Sequence, residues 1–142
     1  MATPGLGEKL RNLGRLLFGK KERAPVVDAA EARRLQEQGA LVVDVREAAE
    51  FRGGHVPGAL NVPLTQVESR LAEIPRDRPV VVHCALGSRS ALAAKRLHAL
   101  GFENVHDLSG GIRAWKQAAL PVERDATTVA EADGEAAGER QT

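Results

Sequence analysis

Two short runs, Leu41-Val42-Val43-Asp44-Val45 and Pro79-Val80-Val81-Val82-His83, constrain the fold more than any other feature of the chain. Each is nearly continuous in large apolar side chains and β-branched at most positions, the pattern of a strand covered on both faces. Helix-like stretches separate them. Asp28 followed by Glu31 reads as an N-cap signature for a helix over 29–38 that Gly39 ends. Leu60-Asn61-Val62 is a short strand closed by Pro63. Thr65-Gln66-Val67-Glu68 reads as a capping box for a helix with Leu64, Val67, Leu71 and Ile74 on one stripe, stopped by Pro75. An alanine-rich helix from Ser90 to Leu100 presents Ala93, Leu97 and Leu100 to one side. A last strand over 104–108 leads through Ser109-Gly110-Gly111 into a short helix carrying Ile112 and Trp115. Strands alternating with helices predict an α/β domain with a mainly parallel sheet.

The chain of 142 residues has room for one such domain, and its charges nearly cancel, with 20 Lys plus Arg against 19 Asp plus Glu. That balance gives no global field for nucleic acid, and no nucleic-acid motif is present. The cancellation conceals two flanks. Residues 1–24 hold six basic against two acidic side chains, a net +4, and Leu6, Leu10, Leu13 and Leu17 form one helical stripe. We read this as a basic amphipathic extension, with residues 6–20 suited to a peripheral membrane surface, a protein partner or the chain's own domain. Residues 123–142 hold two basic against six acidic side chains and only Val129 as a large apolar residue, the composition of a disordered acidic tail. The intervening domain spans 25–122.

Cysteine use narrows the chemistry. One cysteine makes an internal disulfide impossible, and no CxxC or Cys/His finger spacing is present, so neither a disulfide framework nor a metal site is expected. A reducing, cytoplasmic setting is the default expectation. The longest apolar runs are a few residues, far short of the roughly 20 that span a bilayer.

That cysteine, Cys84, stands where β-sheets of this class place their ligands, at the carboxyl end of a buried strand before a helix begins. The loop Ala85-Leu86-Gly87-Ser88-Arg89 follows it. Backbone N–H groups, a helix N-terminus and Arg89 all favour an anion there, and hence a thiolate able to attack a sulfane sulfur or a phosphorus-like centre. Asp44 and Arg46 end a buried strand and are expected to be structural ion-pair or loop-bracing residues, with Glu50 as a partner for Arg46. His55 is expected to hydrogen-bond within its Gly- and Pro-bounded turn. Alternation along the strand turns His83 away from Cys84.

Asp44-Val45-Arg46, Glu50-Phe51, Gly54-His55-Val56-Pro57-Gly58-Ala59, Asn61-Val62-Pro63, the loop from Cys84 to Arg89 and Leu108-Ser109-Gly110-Gly111 together resemble the successive signatures of single-domain rhodanese-like sulfurtransferases. The resemblance covers about residues 25–122. It implies a rhodanese-like three-layer α/β fold with a five-stranded, mainly parallel central sheet flanked by helices. It also implies that Cys84 carries a persulfide between two half-reactions, taking sulfur from a donor such as thiosulfate and passing it to a thiol, a protein acceptor or cyanide, with no cofactor. Backbone N–H groups from Ala85 to Arg89 would cradle the persulfide, Arg89 would fix the loop or the anionic donor, and Asp44 and Arg46 would organise the surrounding loops.

Spacing distinguishes the activities associated with this resemblance. Phosphatases and arsenate reductases of this fold resemble Cys-x5-Arg, whereas this chain has Cys-x4-Arg, with Ser90 where the longer loop needs Arg. A non-catalytic rhodanese-like binding module usually lacks the cysteine. Ala85 and Leu86 depart from thiosulfate-specific loops, which carry a basic residue after the cysteine, so a protein or low-molecular-weight persulfide is an equal candidate for donor. With no second cysteine, the acceptor must be external.

Overall fold

The computed structural model describes residues 24–125. The basic extension up to residue 23 and the tail beyond residue 125, and with them the expectations of an amphipathic helix and of disorder, lie outside the described residues. In chain order the elements are β1 (Val26–Val27), α1 (Ala29–Glu37), β2 (Leu41–Asp44), α2 (Ala48–Arg52), β3 (Leu60–Asn61), two 3-10 segments (Leu64–Gln66 and Glu68–Glu73), β4 (Val80–His83), α3 (Ser88–Ala99), β5 (Val105–Leu108) and α4 (Gly111–Gln117). The five strands form one sheet in the order β1-β5-β4-β2-β3, every pairing parallel.

β4 is the middle strand, so its four residues are all buried, and Val81 and Val82 expose nothing to solvent. Parity along the strands divides the core. Val43, Val80, Val82, Cys84 and Val105 pack with Ala93, Ala94 and Leu97 of α3 and with Val67 and Ile74 below the 3-10 segments. Val42, Val81 and Leu108 pack on the opposite face with Ala29 and Ala32 of α1 and with Ile112 and Trp115 of α4. Cys84 and His83 therefore point to opposite faces of the sheet, as alternation requires. Trp115 is fully buried and donates Nε1–H to the Pro121 carbonyl at 2.7 Å, closing the chain over its own face.

Several local expectations change. α1 is capped as read, with Asp28 accepting the Glu31 N–H at 2.8 Å. The capping box at Thr65 does not form. The segment after Pro63 makes 3-10 turns from Leu64, without a side-chain cap, although Val67 and Ile74 of the expected stripe are buried. Pro63 sets an extended entry directly before Leu64, which puts Thr65 inside the first turn rather than at its cap. α3 begins at Ser88, two residues early, because Gly87 at φ +123° turns the chain into the helix. Leu100 is 42% exposed at the end of α3 instead of joining Ala93 and Leu97 in the core. β1 and α2 were not signalled by apolar periodicity.

The junction near residue 122 is also paired. His55 and Glu123 exchange two backbone hydrogen bonds at 2.8 Å, and Asp125 donates to the Arg52 carbonyl at 3.1 Å.

Candidate active site around Cys84

Cys84 follows the last residue of β4 and is 1% exposed. Its Sγ accepts the Gly87 N–H at 3.1 Å and the Ser90 N–H at 3.3 Å. Those donors exist because the chain curls from β4 into α3 within the loop, leaving first-turn amides without intrahelical partners. Two amides and the positive end of a 12-residue helix make the position favourable for negative charge on sulfur.

The loop is held from below by the start of α4. Ile112 donates to the Cys84 carbonyl at 2.8 Å and Arg113 to the Ala85 carbonyl at 3.3 Å. His83 Nδ1–H donates to the same Cys84 carbonyl at 3.0 Å. With these carbonyls tied down, the amides that follow turn up toward Sγ. Only glycine fits at 111: its φ is +60°, and a Cβ would stand 2.3 Å from the Cys84 oxygen. The Gly110-Gly111 pair thus has a packing reason.

Arg89 is paired with Glu50, Nη1 to Oε1 at 2.8 Å and Nη2 to Oε2 at 3.1 Å. This fork lowers the Glu50 carboxyl to about 2, with the Arg89 hydrogen bond the largest cause, and raises the Arg89 guanidinium. The expected Arg46–Glu50 pair is therefore replaced. Arg46 is already satisfied by Asp44, with Nη2 to Oδ2 at 2.7 Å, and by the Gly54 carbonyl at 2.8 Å. α2, with its Glu47/Glu50 capping box, offers Glu50 to the first turn of α3 instead.

Asp44 and Arg46 are both buried, and Asn61 bridges their carbonyls at 3.0 and 2.9 Å, so the pair ties β2 to β3 and to the turn at Gly54. Asp44 lies on the α1/α4 face beside His83, whose Nε2 is 3.5 Å from Asp44 Oδ2. Burial is the largest influence on His83 and pushes its imidazole below the ordinary range. His55 donates Nδ1–H to the Phe51 carbonyl at 2.8 Å and stacks on the Phe51 ring at 3.8 Å, as expected of a turn-bracing residue. Ala85, Gly87, Ser88 and Arg89 form the rim, and Leu86 stands at its tip, 63% exposed.

Two residues near Sγ were missed. Ser90 is fully buried, with Oγ 3.6 Å from Sγ, and donates to Asp107 Oδ1 at 2.7 Å. Asp107, the third residue of β5, shares strand parity with Val105 and so faces α3 from beside Cys84. That parity was readable in the sequence.

No group of three or more His, Cys, Asp and Glu side chains that could hold a metal occurs among the described residues, and none of their helices is long and apolar enough to cross a membrane.

The chain is similar to known proteins. Over 82 residues the chain is 43% identical to a protein of Allochromatium vinosum named Sulfurtransferase, covering 58% of this chain and 77% of that one. It is 36% identical over 86 residues to the Thiosulfate sulfurtransferase GlpE of Pseudomonas savastanoi pv. phaseolicola, covering 61% and 81% of the two. The crystal structure of a rhodanese-related protein from Thermoplasma volcanium superposes with a TM-score of 0.65 at 32% identity, over 70% of this chain and 97% of that one. The sequence pattern of the rhodanese-like domain matches residues 28–118, the stretch that contains the sheet, the Cys84 loop and the glycines beneath it, and the chain belongs to the rhodanese-like domain family.

Proposed function

We propose that the protein is a sulfurtransferase that carries sulfane sulfur as a persulfide on Cys84. The observation that supports this most is the convergence of the Gly87 and Ser90 amides on one buried sulfur at the end of the central strand. In the first half-reaction the Cys84 thiolate attacks the outer sulfur of thiosulfate. A new S–S bond forms, the S–S bond of thiosulfate breaks, and sulfite leaves with the electron pair. The same amides then stabilise the charged persulfide. In the second half-reaction an external thiol, a protein acceptor or cyanide attacks the outer sulfur and Cys84 returns as thiolate. No cofactor enters either step, and a reducing cytoplasmic setting suits a nucleophilic thiol.

The relatives named for sulfur transfer support this reading, as does the Cys-x4-Arg spacing, a smaller ring than phosphatase-type loops enclose. Arg89 serves by fixing the loop through Glu50. Leu86 gives the entrance an apolar rim, which suits a protein or low-molecular-weight persulfide donor as well as thiosulfate. Mixing the full chain with thiosulfate and cyanide and following thiocyanate tests the proposal. Turnover by the wild type and none by Cys84→Ser is expected, and undiminished turnover by the variant contradicts it.

A further inference from the structure

The Ser90 hydroxyl has two oxygen acceptors in reach, Asp107 Oδ1 at 2.7 Å and the Gly87 carbonyl at 3.2 Å, and Cys84 Sγ stands 3.6 Å from Oγ, placed to donate to it as a thiol and to accept from it as a thiolate. Its one proton cannot serve both oxygens and a thiolate. When it donates to an ionised Asp107, its lone pair is left to accept the Cys84 S–H. When it donates to a thiolate, Asp107 must hold a proton and donate to Oγ, or the carboxylate loses the one side chain that hydrogen-bonds it among the described residues. The two arrangements carry the same total charge and differ by one proton moved between Sγ and the carboxyl.

We propose that Asp107 takes the Cys84 proton through the Ser90 hydroxyl, so that the buried thiol and carboxyl share one proton and the thiolate forms without adding charge to the site. The S–H bond breaks with its electron pair left on Sγ. Ser90 Oγ receives that proton while its own passes to Asp107 Oδ1, and no other reactant takes part. The inference rests on Cys84 being the nucleophile of the proposed sulfur transfer, in which the returning thiolate meets Asp107 still holding the proton. Asp107 acts through Ser90 and is a positioning residue, not one that touches sulfur donor or acceptor.

The surroundings fit a carboxyl that accepts a proton. Asp107 is 8% exposed, and burial, the largest influence, holds its carboxyl above the usual range against the opposing Ser90 hydrogen bond. Its neighbours across the sheet are Val26 of β1 and Val82 of β4, neither ionisable. On its own strand His106 alternates to the other side and bonds Asn104. From α3 it meets Ser90, while Arg89 is tied to Glu50 of α2. On the opposite face His83 lies beside Asp44. Among the described residues no salt bridge engages Asp107.

The test is the rate of Cys84 alkylation by iodoacetamide from about pH 4 to about pH 10, a span that covers ordinary carboxyl and thiol ionisation. The chain's single cysteine makes the readout unambiguous. Two groups that share a proton titrate in two macroscopic steps. The wild type is expected to keep a plateau of reactivity on the acid side and to rise again in alkali. Asp107→Asn keeps an acceptor for Ser90 but cannot take the proton, so its profile becomes a single step that falls about tenfold per pH unit below its midpoint. It is then slower than the wild type in acid and no slower in alkali, a crossing that general damage to the fold does not produce. Ser90→Ala removes the connecting hydroxyl and is expected to lose the acid plateau as well, which keeps the test decisive if Asp107→Asn fails to fold. A single step in the wild type, or an acid plateau that survives in a folded variant, overturns the inference. Because alkylation needs no sulfur donor, such a result leaves the thiocyanate assay free to succeed or fail by itself.

Discussion

The α-carbon of Gly111 lies so close beneath Cys84 that a β-carbon there would stand 2.3 Å from the Cys84 carbonyl oxygen. The start of α4 and the Cys84 loop are thus one packed unit, with Ile112 N–H on that same carbonyl. Gly111→Ala must move one against the other and must also place a side chain at φ +60°. We expect a loss of about 1–3 kcal/mol for the strained backbone, with the contact adding to it, and a loss of sulfur transfer larger than the fraction unfolded explains. Urea unfolding and thiocyanate formation on one preparation measure both.

Asp44 and Arg46 form a buried ion pair with side chains 0% and 7% exposed. Removing one member leaves an unpaired buried charge, so Arg46→Ala is expected to destabilise by about 3–5 kcal/mol, or to prevent folding altogether. Glu50 and Arg89 are about a third exposed, and a double-mutant cycle there is expected to give a coupling of about 0.2–1 kcal/mol that fades in high salt. The Glu50 pair contributes fully above its unfolded value of 4.5 and is lost as pH falls toward about 2. Denaturation curves for Arg46→Ala and for the four proteins of the cycle, taken at two salt concentrations and at neutral and acid pH, check these expectations.

Buried His83 is held below its ordinary value, so the unfolded chain takes up a proton near pH 6.5 that the native protein refuses. Stability therefore falls as pH drops below about 6.5. His83→Asn retains a donor near the Cys84 carbonyl and lacks the titration. Its melting temperature is expected to decline less than the wild type's over that acid window, with the remaining slope owed partly to His106, which burial also lowers.

Asp107 has the opposite sign. Its folded value is raised, so its favourable contribution is complete below the unfolded value of 3.8 and is lost as pH rises through the folded one. Asp107→Asn, neutral at every pH, is expected to be more stable than the wild type at neutral pH, with the advantage shrinking toward pH 3.8. Melting temperatures across that range decide the matter, and a variant less stable at neutral pH contradicts it.

What the sequence disclosed follows from range and burial. β2 and β4 were legible because strands covered on both faces need apolar side chains at nearly every position. Cys84 and its loop were legible because strand, turn glycine and helix start are adjacent in the chain. β1, two residues long, and α2, which buries none of its side chains, left no periodic signal. Glu47 with Glu50 three residues on was a capping signal that went unread. The Arg89–Glu50 pair joins residues 39 apart, and choosing between Arg46 and Arg89 as the partner of Glu50 required knowing that Asp44 already satisfies Arg46. Ser90 and Asp107, 17 apart, meet only because β5 lies beside β4 with Val105, Cys84 and Asp107 on one face.

In the proposed reaction Cys84 holds the travelling sulfur. Intact-protein mass measurement after exposure to thiosulfate, followed by peptide mapping, tests it directly. The expected result is a gain of about one sulfur atom located on Cys84, removed by cyanide and absent from Cys84→Ser. A wild-type protein that turns thiosulfate and cyanide into thiocyanate without ever gaining that mass, or a Cys84→Ser variant that gains it, contradicts the account.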